Sequence, residues 1–234
     1  MTRLLQPLAA IRSLHSYCIE TDRLALDREA RAIQVELERG GYRDRFELVT
    51  RWAAEPLDLL RELRKLRPTV VHFSGRGSKD DMPSGSLFGQ ALHRDIVGQP
   101  GFHANGPQHG LFFHGPDGRA QLVSTAALED TFDAAGASVK LVVLSACYSE
   151  LQAHALLTRV DCVVGMRGSI RDDAARNFAI GFYGGLGERE SVAAAYKQGC
   201  AAISLEGLRD GDHPQLKVRN GIDANQIFLA VDPW

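Results

Sequence analysis

Short apolar runs alternate along this chain with stretches in which apolar residues return every three or four positions. The runs at residues 69–73, 140–146 and 162–166 are continuous and of strand length, as in strands buried on both faces. Residues 12–20, 45–53 and 215–219 read as further strands, with 227–231 as a terminal segment. Between them, Ala30, Ile33, Val35 and Leu37 interleave with charges and predict a helix over 27–38, which Gly40-Gly41 stops. Pro56 opens a second helix in the first-turn position that suits proline, with Leu57, Leu60, Leu63 and Leu66 as its core stripe. Helices over 124–132, 150–158, 172–184 and 191–205 follow, the first capped by Ser124.

Residues 78–109 break this alternation. They are rich in Gly, Pro, Ser and His, with a brief apolar stretch at Ile96-Val97. An insertion of this length reads as a flexible surface loop or, alternatively, as a lid or self-cleavage segment. After it, Gly115-Pro116-Asp117-Gly118 separates 110–114 from 119–123 and signals a hairpin. The order predicts one α/β domain over residues 1–234. It has three layers, with a mainly parallel central sheet of about six strands covered by helices on both faces.

Composition narrows the function classes. The 234 residues are 44% hydrophobic and 24% charged, enough for one substantial core. The formal net charge is −2 and the sequence pI about 6.4, so no basic excess points to nucleic acid or to an anionic membrane. No run is long enough to span a bilayer, and the apolar stretch in residues 1–10 is short and broken by Pro7, unlike a signal peptide. Cys18, Cys147, Cys162 and Cys200 form no Cys-x-x-Cys pair, and the eight histidines form no His-x-x-x-His. The expectation is a cytoplasmic protein with reduced thiols, no metal and no cofactor.

The candidate chemistry lies at Cys147, where the run Lys140-Leu141-Val142-Val143-Leu144-Ser145-Ala146 ends and a helix begins. A strand that delivers a thiol to a helix N-terminus favours the thiolate. Sites in open α/β sheets form beyond the carboxyl ends of neighbouring strands, and the run at 69–73 ends there in a polar turn, Ser74-Gly75-Arg76-Gly77. A thiolate nucleophile needs an acid–base partner and N–H donors for the oxyanion. Gly77 permits close approach to a substrate carbonyl, and the N–H groups of Gly77 and Cys147 are the candidate donors. Ser74, Gly75 and Ser145 are candidate substrate contacts at the same strand ends. Asp172 reads as a helix cap beside Asp173 or as part of a specificity pocket for a basic side chain. Asp161 is equally open. Cys162 and Cys200 read as core, and His72 as a hydrogen-bonded strand histidine. Four residues of strand put His72 about 13 Å from the turn, at ~3.3 Å per residue.

The segments Val70-Val71-His72-Phe73-Ser74-Gly75-Arg76-Gly77, Val142-Val143-Leu144-Ser145-Ala146-Cys147-Tyr148-Ser149-Glu150 and Val163-Val164-Gly165-Met166 together resemble bacterial CHAT domains. These belong to the caspase- and separase-like cysteine peptidase clan. The resemblance runs over about 12–205 and includes Arg23-Leu24, Leu26-Asp27 and Glu29 before the first helix. It implies a caspase-like α/β fold and peptide hydrolysis by a His/Cys dyad. Cys147 is then the nucleophile, and the general acid–base position, the centre of Ser-Gly-His-Gly in the family, is Arg76. A guanidinium stays charged at any working pH and cannot shuttle a proton. The expected activity is therefore that of a cysteine endopeptidase in a bacterial stress, cell-death or antiviral pathway, impaired or dormant unless another histidine (His93, His103, His109 or His114) substitutes. The alternative is a catalytically dead pseudoprotease that binds a peptide or protein in the same cleft. The implied partners are a peptide or protein substrate and a regulatory protein.

Overall fold

A computed structural model describes residues 9–15, 20–78 and 109–230. The strands are β1 (Ala9–His15), β2 (Phe46–Trp52), β3 (Val70–Ser78), β4 (Gly110–His114), β5 (Ala120–Ser124), β6 (Leu141–Ala146), β7 (Cys162–Met166) and β8 (Pro214–Val218). The helices are α1 (Glu20–Arg39), α2 (Pro56–Leu66), α3 (Thr125–Ala135), α4 (Glu150–Leu156), α5 (Asp172–Gly187) and α6 (Val192–Leu205). None of them is long and apolar enough to cross a membrane.

The central sheet has the order β2-β1-β3-β6-β7-β8. Its strands are parallel except β8, which runs antiparallel to β7 at one edge. The inner strands are buried on both faces, so their apolar runs are continuous. Side chains alternate across a strand. Val70, Val143 and Val164 face a layer of α1, α5 and α6, packing with Ile33, Leu37, Phe178, Phe182 and Tyr183. Val71, Phe73, Val142, Leu144 and Val163 face α2, α3 and α4, packing with Leu59, Leu63, Leu128, Phe132 and Leu156. The three-layer α/β arrangement with a mostly parallel sheet is the expected one.

Several boundaries differ. The first helix begins at Glu20, well before residue 27. On α2, Leu57 is 60% exposed, and the buried stripe is Leu59 and Leu63. The reason is Asp58. It closes a capping box with Glu55 and, buried, accepts hydrogen bonds from Arg51 and Arg61, which turns Leu57 outward.

The expected turn at 74–77 is strand. β3 runs on to Ser78 after its parallel pairing ends at His15↔Ser74 and Gly75↔Ala146. Residues 76–78 then take antiparallel partners from β4: Arg76↔Phe112, Gly77↔Leu111 and Ser78↔Gly110. The β4–β5 hairpin forms as its turn residues predict, with Gly118 at φ +80°. The insertion expected at about 78–109 lies outside the described residues apart from its two ends, as do Cys18, His93 and His103.

Candidate functional site

Strand alternation places His72, Ser74 and Arg76 on one face of β3, and Val143, Ser145 and Cys147 on the same face of the neighbouring chain. The last registered pair is Gly75↔Ala146, and Arg76 and Cys147 are the residues that directly follow it on the two segments. A small cavity of about 30 Å3 opens there. Ser74, Gly75, Arg76, Ser145, Cys147 and Asp172 all line it. Six of the seven site residues read from the sequence thus meet at one place.

Gly77, the seventh, is against Cys147 in a different way. A Cβ on Gly77 would lie 2.1 Å from the Cys147 carbonyl oxygen. The missing side chain thus makes room for the protein's own backbone, where the sequence suggested a substrate carbonyl.

Behind Cys147 the chain turns sharply. Tyr148 adopts a left-handed conformation, φ +59°, which costs a non-glycine residue roughly 1–2 kcal/mol. Its N–H donates to the Gly168 carbonyl at 2.8 Å. Ser149 then links the ends of two strands: its hydroxyl donates to Leu144 O at 3.1 Å and accepts from Met166 N–H at 2.9 Å. The next helix, α4, begins at Glu150 as the sequence predicts, with Tyr148 and Ser149 between it and the thiol.

The segment after β7 reaches over the thiol. Cys147 Sγ lies 3.7 Å from Ser169 Oγ and 3.7 Å from the Ile170 carbonyl. Cys147 is half-buried, within reach of a reagent. Cys162 is different. It is fully buried, and burial together with Asp161 pushes its thiol up to about 12, which makes it inert at neutral pH. Cys200 is raised by burial too. Asp161 is structural, paired with Lys140 at 3.3 Å and with Arg219.

Beneath the cavity is a buried polar network that the sequence did not reveal. Ser74 Oγ donates to the Glu29 carboxylate, and Glu29 also lines the cavity. His72 Nε2 approaches Glu29 Oε1 at 3.3 Å without hydrogen-bond alignment, and His72 Nδ1 lies 2.9 Å from the Tyr183 hydroxyl. His15 Nε2 is 2.6 Å from Ser13 Oγ, and its ring packs on Trp52 at 4.6 Å. Burial alone raises the Glu29 carboxyl, but His72, Ser74 and His15 outweigh it and hold it well below the usual carboxylate range. Burial, helped by His72, lowers His15 to about 3. Burial and then Glu29 push Tyr183 well above its ordinary value. His72 is therefore a buried member of this network.

Asp172 stands in the first turn of α5, whose N-cap is Arg171. Asp173 accepts both from Arg171 and from the N–H of Ala174, so the local structure of the turn is its work. Among the described residues no histidine lines the cavity, and no group of His, Cys, Asp and Glu is arranged to hold a metal ion. Ser169, Ile170 and Glu29 are the site neighbours missed in the sequence. All three come from segments distant in sequence from β3 or β6, with no spacing that ties them to Cys147.

Among solved structures, the chain is similar to a secreted C11 cysteine protease from Bacteroides thetaiotaomicron in complex with an irreversible peptide inhibitor. The TM-score is 0.57 at 10% sequence identity, over 85% of this chain and 60% of that one. The likeness carries the fold, a caspase-like α/β arrangement. No sequence among the curated proteins matches the chain. The profile of the CHAT domain family matches residues 16–207, from just after β1 through α6 and including every residue that lines the cavity, and so the chain belongs to the CHAT domain family.

Proposed function

We propose that this chain is a caspase-like cysteine peptidase with Cys147 as nucleophile, held dormant by the arginine at position 76. The observation that carries the proposal is the placement of Arg76 and Cys147 on one cavity at the carboxyl ends of β3 and β6. In this reading the Cys147 thiolate attacks a peptide carbonyl, and the N–H groups of Gly77 and Cys147 receive the oxyanion. Ser74, Gly75, Ser145 and Asp172 contact the peptide. The Arg76 guanidinium favours the thiolate by charge. It supplies no proton to the departing amine, so acylation stalls. The chain acts as one domain. Family resemblance favours a bacterial stress, cell-death or antiviral setting in the cytoplasm, with a regulatory protein partner.

The test compares the protein with Arg76→His, using a peptide electrophile that alkylates Cys147 and a fluorogenic peptide library. General acid–base catalysis contributes about 10²–10⁴-fold, and Arg76→His is expected to raise amide hydrolysis by at least the lower figure. A Cys147 that resists labelling in both proteins would defeat the peptidase reading.

One observation favours a second reading. Among the described residues the cavity contains no histidine, as expected of a pseudoprotease that binds a peptide or protein without cleaving it. Peptide binding that persists in Cys147→Ala, with no hydrolysis by either the native protein or Arg76→His, is its signature.

A further inference from the structure

Beside the cavity at Cys147 lies a wider, open cleft of about 590 Å3, within the ~300–1,000 Å3 range of ligand sites. Ala25, Arg76, Ile170 and Asp172 line both, so the two adjoin. The cleft takes Arg28 from α1, Arg76 from β3, and Arg171 and Arg176 from the start of α5. Asp172 and Asp173 also line it. Asp173 is already held by both arms of the Arg171 guanidinium, at 3.1 and 2.7 Å. Among the described residues, neither Arg28 nor Arg176 forms an ion pair. Positive charge thus predominates in this cleft, on a protein whose formal net charge is −2.

We infer that the arginine-lined cleft binds an acidic stretch of the peptide whose backbone enters the cavity at Cys147. The inference rests on the reading of that cavity as a peptide site, and it adds the substrate class. Guanidinium forks match carboxylates two hydrogen bonds at a time, and Arg28 on α1 and Arg176 on α5 present them from separate elements, so more than one acidic side chain is accommodated. A peptide fits better than a nucleic acid. Asp172 at the junction would repel a phosphate backbone, whereas a peptide can place a neutral residue there. The overall charge gives no long-range attraction for a polyanion. One inorganic anion would fill only a small part of the cleft.

The experiment uses the full chain carrying Cys147→Ala, so that binding is read without turnover. Fluorescein-labelled Gly-Glu-Asp-Gly-Glu-Asp-Gly and its amide counterpart Gly-Gln-Asn-Gly-Gln-Asn-Gly are compared by anisotropy at low and high salt. Two partly exposed charge pairs give the acidic peptide roughly a tenfold advantage at low salt. High salt should shrink that advantage. Arg28→Gln together with Arg176→Gln should bring the two peptides near parity. Arg28→Glu, a single change on an exposed side chain, should weaken the acidic peptide alone and serves if the double variant is poorly folded. Equal affinities in the parent protein, or an acidic preference untouched by either variant, overturn the inference. So does tighter binding of a single-stranded oligoadenylate of equal charge. Labelling of Cys147 in the native protein is read separately. Labelling without an acidic preference defeats only this inference, while an acidic preference without labelling defeats only the peptidase reading.

Discussion

Gly77 and Cys147 are in backbone contact: a methyl group on residue 77 would come within 2.1 Å of the Cys147 carbonyl oxygen. That oxygen is main chain and cannot swing aside, so β3 and the turn after β6 would have to separate. Gly77→Ala is therefore expected to destabilise the fold by about 1–3 kcal/mol, the usual range for overpacking. It should also change the alkylation rate of Cys147. Urea unfolding with a parallel iodoacetamide time course reads both, and an unchanged midpoint would refute the contact.

Ser149 supports the same turn from below. Its hydroxyl joins Leu144 O to Met166 N–H, so Ser149→Ala leaves a buried N–H without an acceptor. The expected loss is about 1–3 kcal/mol with an unchanged urea m-value. A loss below a few tenths would mean that water replaces the hydroxyl.

Tyr183→Phe tests the network under the cavity. The variant removes the hydroxyl 2.9 Å from His72 Nδ1 while keeping the ring that packs on Phe182 at 5.4 Å. A stability loss of about 1–3 kcal/mol is expected, since His72 is fully buried and has no solvent to turn to. Equal unfolding midpoints would show that the hydroxyl contributes nothing.

Acid should weaken the fold earlier than carboxylates alone would require. His15 is lowered from 6.5 to about 3 on folding, so the unfolded chain takes up a proton there that the folded chain refuses. This contribution is intact above pH 6.5 and is lost as pH falls from 6.5 toward 3, by at most about 1.4 kcal/mol per pH unit. Glu29, also depressed, adds in the same direction below its ordinary value of 4.5. His15→Gln should flatten the slope between pH 6 and pH 5 by up to one proton. Identical slopes in urea titrations at the two pH values would count against the assignment.

The strands and helices were legible where burial dictates sequence. β3, β6 and β7 are covered on both faces, so their apolar runs had no other reading. Leu57 misled because its spacing fits a stripe, and only the buried Asp58 decides which way α2 is turned. The 74–77 segment looked like a turn because its residues are small and polar. Its ladder partners, Leu111 and Phe112, come from beyond the insertion, and no local signal announces them. Cys147 was legible from its place at the end of a buried strand. Glu29 was not, because nothing in the sequence ties the middle of α1 to Ser74.

The alternation along β3 has a consequence for how this protein tolerates change. Val71 and Phe73 carry the packing against one helical layer, while His72, Ser74 and Arg76 carry polar contacts on the other side. The face that carries the site thus also carries part of the core through Val70 and His72, and Arg76 lies beyond both core clusters. A substitution at position 76 is therefore expected to alter the cavity while leaving the packed core intact.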